Sequence, residues 1–323
     1  ERAIGQLRPV EFGEPVDLGH GAAATFRYAG HILGAATVEV RWGGKTVVFS
    51  GDLGRYGDPI TPDPDPVAKA DYLIVESTYG DRHHDPVAPA EALLKVIERT
   101  TGRGGTVVVP AFAVGRAQEL LYLLWKLKQD GALPLTPVYL DSPMATDATD
   151  LLCRHGADHK LPEDVCRAAC GVATYTRDVE ESKALSHNSM PKVIISASGM
   201  ATGGRVLHHL KADGPDARNA VRFSGYQAAG TRGQALLGGG AREVKIHGQW
   251  IPIRAEVTNL PMLSAHADVD EIMRWLSGFQ RSPTRTFIVH GEDQGPIGLK
   301  ARIEADLGWS CTISAQDETY GLS

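Results

Sequence analysis

Three apolar runs in this chain end in an ionisable side chain: Thr46-Val47-Val48-Phe49-Ser50-Gly51-Asp52, Asp71-Tyr72-Leu73-Ile74-Val75-Glu76 and Thr286-Phe287-Ile288-Val289-His290. Short, β-branched runs of this kind form buried strands. A strand that stops on an acid or an imidazole presents it at the rim of a sheet, where layered α/β proteins place their chemistry. Gly51 allows the sharp turn that frees Asp52. Carboxylate and imidazole are both ligands for zinc-like ions, and a carboxylate can bridge a pair of them. A further histidine, His31, lies between glycines in Ala29-Gly30-His31-Ile32-Leu33-Gly34. Alone it would read as a turn residue. A hairpin through Gly43-Gly44 can bring it beside Asp52, which makes it a candidate for the same site.

The elements that must hold these residues follow from the pattern around them. Runs at Ala24–Tyr28 and Thr37–Val40 read as strands that precede the Asp52 strand, and Asp58–Pro66 reads as an irregular Pro/Asp-rich loop. From about residue 85 to 260 helices alternate with strands. Helices are expected over Ala88–Arg99 and Ala113–Gln129, with strands at Thr106–Val109, Val138–Leu140, Val193–Ile195 and Ala220–Phe223. That alternation predicts a parallel, Rossmann-like layer. A hairpin around His247-Gly248-Gln249-Trp250 is expected to return the chain to the first layer. Asp268 and Glu271 then form a capping-box pattern for a helix over Val269–Phe279, which places His266 in the loop just before it. Pro296 starts a last helix.

Composition bounds the partners. The chain has 323 residues, 42% apolar and 22% charged, with a formal net charge of −6. That balance provides no basic field for gathering nucleic acid in bulk, but it leaves room for an enzyme that grips a few phosphates locally. No apolar stretch approaches membrane-spanning length. Cys153, Cys166, Cys170 and Cys311 form no CxxC pair, so reduced thiols in a cytoplasmic protein are expected, with Cys166 and Cys170 one helical turn apart.

Two further segments invite a functional reading. Ser198-Gly199-Met200-Ala201-Thr202-Gly203-Gly204-Arg205 follows a strand and opens a helix, a context in which loop amides bind phosphate; its bland reading is a tight turn without a ligand. His155-Gly-Ala-Asp158-His159 echoes a metal motif, but its context makes it a surface segment. His208 and His209 are adjacent on a helix and point to different faces, so they do not ligate together.

Gly-His31-x-x-Gly, Ser-Gly-Asp52 and Glu76-Ser-Thr-Tyr-Gly-Asp-Arg, in this order, resemble the metallo-β-lactamase fold in its β-CASP nuclease branch. Pro110-Ala-Phe-Ala-Val-Gly-Arg116-Ala-Gln118-Glu119, Ser196-Ala-Ser-Gly-Met200, Ser264-Ala-His266-Ala-Asp268 and Val289-His290-Gly-Glu292 extend the resemblance along essentially the whole chain. It implies an αββα sandwich, incomplete at its N-terminus, with a Rossmann-like β-CASP cap inserted: residues 1–82, 83–260 for the cap, and 261–323. It assigns His31 to one zinc ion, Asp52 to the bridge and His290 to the second ion. Glu76 and His266 become a hydrogen-bonded pair that, with Asp52, carries the catalysis. Arg116, Ser198, Gly199, Met200, Gly203 and Gly204 become contacts to the substrate backbone. Family members that act on RNA typically have histidine at the position of His290, so single-stranded RNA is the implied substrate.

The sequence departs from the family in one respect. No His-x-His-x-Asp-His motif precedes His31, so the chain carries an incomplete ligand set for two zinc ions. The expectation is the C-terminal three quarters of a zinc-dependent ribonuclease, inactive in this form and able to form a homodimer. Its rivals are a non-catalytic RNA-binding or scaffold subunit and a small-molecule metallo-hydrolase.

Overall fold

The strand-ending residues fall where the apolar runs place them. The computed structural model describes residues 3–322 except 134, 240 and 293. The chain divides into two compact units, one built from residues 1–83 and 266–323, the other from residues 84–265.

In the discontinuous unit the strands are β1 (Pro15–Gly19), β2 (Ala22–Tyr28), β3 (Ala36–Trp42), β4 (Lys45–Phe49) and β5 (Tyr72–Glu76). The continuous unit then runs α1 (Pro89–Gly102), β6 (Thr106–Pro110), α2 (Arg116–Gln129), β7 (Val138–Asp141), α3 (Pro143–Arg154), α4 (Glu163–Cys170), β8 (Thr174–Tyr175) and α5 (Val179–His187). It continues with β9 (Lys192–Ser196), α6 (Val206–Asp213), β10 (Ala220–Phe223), α7 (Arg232–Leu237), β11 (Glu243–Ile246), β12 (Gln249–Pro252) and β13 (Glu256–Asn259). The chain closes the first unit with α8 (Val269–Leu276), β14 (Arg285–Val289), α9 (Gly295–Leu307) and β15 (Cys311–Ile313).

The first unit holds a seven-stranded mixed sheet in the order β1-β2-β3-β4-β5-β14-β15. Its first four strands pair antiparallel, whereas β4, β5, β14 and β15 run parallel. Because β4, β5 and β14 point the same way in register, Asp52, Glu76 and His290 leave the sheet along one edge. Val48, Leu73, Val75 and Ile288 form a core with Ile272, Trp275 and Leu276 of α8 and Leu299 and Ile303 of α9. Burying such a side chain contributes about 1.5–3 kcal/mol. The Asp268 side chain accepts from the Asp270 and Glu271 amides and Glu271 reaches back, so the capping box forms as its spacing predicts. The helix it starts ends at Leu276, short of Phe279, in a turn at Ser277-Gly278.

The second unit holds a six-stranded sheet, β13-β10-β6-β9-β7-β8, every pair of it parallel, so the Rossmann-like expectation holds. Two apolar clusters, with Leu120, Leu124 and Val193 in one and Leu210, Val221 and Phe223 in the other, pack about this layer. The hairpin β11–β12 turns at His247-Gly248 as expected, yet it does not return the chain to the first unit. Glu256–Asn259 first pairs with β10 as an edge strand. Glu256 also meets Arg222, whose fully buried guanidinium it neutralises at 2.6 Å.

Candidate metallo-hydrolase site

Backbone turns free each strand-end side chain. Gly51 has φ +59°, and a Cβ there would lie 2.6 Å from the Ala36 carbonyl oxygen, so only glycine fits. His290 itself takes the left-handed region at φ +51°. Such a residue costs energy that the surroundings must repay. Here Thr78 helps: its hydroxyl donates to the His290 carbonyl at 3.2 Å, and its oxygen lies 3.2 Å from His290 Nδ1.

Five residues singled out from the sequence converge in the first unit. Asp52 stands between two imidazoles, Oδ2 at 3.9 Å from His31 Nε2 and Oδ1 at 3.3 Å from His290 Nδ1. Its carboxylate is open to solvent, with 39% of the side chain exposed. His266 Nδ1 lies 3.2 Å from both oxygens of the buried Glu76. The rings of His31 and His266 stand 4.3 Å apart, and those of His266 and His290 6.0 Å. Potential ligand atoms of His31, Asp52 and His266 lie within 4.8 Å of one another, as do those of Asp52, Glu76 and His290. Asp52 belongs to both groups, the position a bridging carboxylate requires.

The Glu76–His266 pair has a definite proton arrangement. Burial pushes the Glu76 carboxyl up, but the hydrogen bond and charge of His266 and the donors at Thr78 and Leu53 outweigh it, holding the acid below its ordinary value. The Leu53 amide donates to Oε1 at 2.6 Å. An ionised carboxylate only accepts, so His266 Nδ1 carries the proton and Nε2 is left for chemistry.

The remaining sequence-derived residues belong to the second unit. Arg116 and the Ser198–Gly204 loop follow β6 and β9, which are parallel neighbours, so both lie at the C-terminal edge of that sheet. Arg116 is buried, and its guanidinium is engaged by Glu119. In the loop the Thr202 and Gly203 amides donate to Ser198 Oγ at 3.1 and 3.4 Å. Gly204, at φ +75°, sits where a Cβ would approach the Ala197 carbonyl oxygen to 2.4 Å, so chain packing alone requires glycine there. The Met200 carbonyl accepts from the Gly233 amide, and the Gly199 carbonyl from Gln227 Nε2. Gly203 faces open space.

Other residues gained importance only in three dimensions. Thr78 lay inside a quoted motif without a role. Phe112 is 44% exposed with its ring against Gly199; an exposed aromatic beside a glycine-rich loop was the available signal. His159 corrects the surface reading of its segment: it is buried, accepting from the Leu161 amide at Nδ1 (3.1 Å) and facing the Leu152 carbonyl with Nε2 (3.1 Å). His208 is exposed and His209 buried, as their adjacency on a helix requires.

Comparison with known proteins agrees with this architecture. Residues 117–236 match the Beta-Casp domain, and residues 250–314 match the Zn-dependent metallo-hydrolase RNA specificity domain. The chain is 40% identical to ribonuclease TTHA0252 of Thermus thermophilus, over 93% of this chain and 69% of that protein. It is 30% identical to an RNase J-like protein of Methanocaldococcus jannaschii, over 90% and 69% of the respective chains. Transcription termination factor FttA of Pyrococcus abyssi is 31% identical over 97% of this chain, which spans 51% of that factor. A protein of unknown function from Enterococcus faecalis V583 shares the fold, with a TM-score of 0.52 at 10% identity, covering 97% of this chain and 67% of that one. The chain belongs to the β-CASP family of metallo-β-lactamase-fold ribonucleases, which are metal-dependent hydrolases. Its fold is α/β, with a β-CASP insertion in a metallo-β-lactamase-type unit. No helix among the described residues is long and apolar enough to cross a membrane.

Proposed function

We propose that this chain carries part of the active centre of a two-zinc ribonuclease that hydrolyses phosphodiester bonds of single-stranded RNA. The observation that carries this reading is the shared position of Asp52 in two ligand groups, with His31 and His266 on one side and Glu76 and His290 on the other. Borderline divalent ions suit this imidazole and carboxylate donor set. When bound, such ions supply an activated water and neutralise charge on a phosphodiester under attack.

The chain's own residues do the rest. His31 and His290 would each hold an ion, with the Asp52 carboxylate, which belongs to both ligand groups, between them. Glu76 fixes the His266 ring through Nδ1, so Nε2 is oriented to pass a proton to the leaving oxygen. The Ser198–Gly204 loop and the exposed Phe112 ring offer a path for the RNA backbone and a stacking surface for its bases, while the buried Arg116, paired with Glu119, steadies the start of α2 beside them.

In this reading the described residues supply three metal ligands, His31, Asp52 and His290, fewer than two ions need. In the 323-residue chain alone this strand-end site is therefore expected to hold zinc weakly and to cleave poorly. A longer form that adds a His-x-His-x-Asp-His segment should cleave end-labelled unstructured RNA, lose activity to a chelator, and lose it again on His266→Ala. If that form, loaded with zinc, leaves RNA intact, the reading fails. The small ligand set itself favours a second reading, a non-catalytic RNA-binding subunit. That alternative predicts RNA affinity indifferent to chelator and to His290→Ala.

A further inference from the structure

A second group of metal-type ligands lies in the continuous unit, remote in sequence from the strand-end residues. Cys153 comes from the last turn of α3, and Cys166 and Cys170 from one face of α4, where positions four apart align. Cys153 Sγ lies 3.2 Å from Cys166 Sγ and 3.3 Å from Cys170 Sγ, and all three sulfurs fall within 4.8 Å of one another. Cys166 is buried, whereas Cys153 and Cys170 are half-buried and reach solvent.

The chain between the two helices is built to hold this convergence. Nδ1 of the buried His159 accepts from the Leu161 amide, so Nε2 carries the proton and donates to the Leu152 carbonyl. The side chain thereby ties the end of α3, one residue before Cys153, to the segment that starts α4. Tyr175 adds a hydrogen bond from its hydroxyl to the Cys170 carbonyl at 2.6 Å.

We propose that Cys153, Cys166 and Cys170 form a three-thiolate site for a thiophilic cation, of the Zn²⁺ or Cu⁺ class. Thiolates select these ions over the hard cations that oxygen ligands prefer. Around zinc at about 2.3 Å from each sulfur, tetrahedral ligands stand about 3.8 Å apart. The two separations from Cys153 therefore need to open by only about half an ångström to admit the ion. Water fills the fourth position on zinc from the half-exposed side, whereas Cu⁺ is satisfied by three sulfurs. Three S–metal bonds form as three S–H bonds break, and the protons leave to solvent. Without the ion, burial pushes the Cys166 thiol up to about 11 and Cys170 higher still, so neutral thiols share the space. Binding must therefore tighten as pH rises.

The site has a signature that imidazole and carboxylate ligands do not share, thiolate-to-metal charge-transfer absorption. The test titrates Co²⁺, as a zinc probe, into the reduced 323-residue chain under anaerobic conditions. A parallel arm titrates Cu⁺ against a Cu⁺ chelator. One equivalent of Co²⁺ should saturate the charge-transfer band, and Asp52→Ala should leave it intact. Cys153→Ser, at a half-exposed position, should weaken binding on the order of a hundredfold, while Cys311→Ser should not. If only Cu⁺ binds, with the same cysteine dependence, the site stands and its ion is Cu⁺. Absence of binding in both arms by folded, fully reduced protein overturns the proposal and leaves the three cysteines as packing. So does a disulfide among them in protein isolated without reductant, since two sulfurs would then be lost to the ion.

Discussion

Two strands of this molecule lead into an aspartate with a histidine at hand, and the two aspartates have opposite fates. Asp52 follows β4 across Gly51, keeps its histidines at 3.3 and 3.9 Å, and remains accessible. Asp141 ends β7 with a side chain wholly buried. One of its oxygens accepts from Thr176 Oγ1 and from Arg205 Nη1 at 2.7 Å; the other accepts from Ser182 Oγ and from His209 Nε2, both at 2.6 Å. Four donors leave that carboxylate no valence for anything else. The first acid has capacity to spare and is suited to an ion or substrate. The second is saturated and is suited to fastening α5 and α6 to the sheet. What separates site from scaffold is therefore unmet coordination, not the presence of an Asp–His pair.

The largest effect follows from removing each acid. Asp141→Ala leaves the buried His209 and the half-buried Arg205 without that anion, and is expected to cost on the order of 3–5 kcal/mol of stability. Asp52→Ala should cost less than about 1 kcal/mol, because the carboxylate and its nearer partner, His290, are solvated. Its consequence should be weaker zinc binding. Urea unfolding of both variants measures the contrast, and equal losses of stability would dissolve it.

The pH dependence is the next sharpest test. Burial pushes the Asp141 carboxyl up, but His209, Ser182, Thr176 and Arg205 together hold it well below the usual carboxylate range. A depressed acid adds stability that is complete above the ordinary carboxylate value and is lost as pH falls toward the depressed one. The stability advantage of the natural protein over Asp141→Asn should therefore hold at neutral pH and shrink below about pH 4. Unfolding midpoints across that range measure it. An advantage that grew on acidification would have the wrong sign for an ionised Asp141.

Much of this contrast could not be read along the chain. Asp52, Glu76 and His290 are legible because a β-branched run, a turn and an ionisable residue are local signals. The capping box at Asp268 and Glu271 is legible for the same reason. Val138-Tyr139-Leu140-Asp141 carries a similar signal, but its donors come from residues 176, 182, 205 and 209, a distance no local pattern spans. Cys153 joins Cys166 only through the fold of the α3–α4 connection, as His159 becomes buried only there. Glu256-Val-Thr-Asn259 is short and polar, and becomes a strand because β10 offers it an edge.

The smallest effect tests whether the open site also has a scaffold of its own. Thr78 donates its hydroxyl proton to the His290 carbonyl, and its oxygen lies 3.2 Å from Nδ1, the ring nitrogen that faces Asp52. Ring and backbone are thus held by one side chain. Thr78→Val keeps the shape and deletes both bonds. The expected cost is about 1 kcal/mol of stability and about tenfold in zinc affinity. Thr78→Ser should restore the affinity. The counterpart in the saturated site is Ser182→Ala, which removes one of four donors to Asp141 and should change stability by a similar amount while leaving zinc affinity untouched. Measured side by side, the pair separates a hydroxyl that aims a ligand from one that only satisfies an acid. Unchanged zinc affinity in Thr78→Val would mean that His290 is positioned by its strand-end backbone alone.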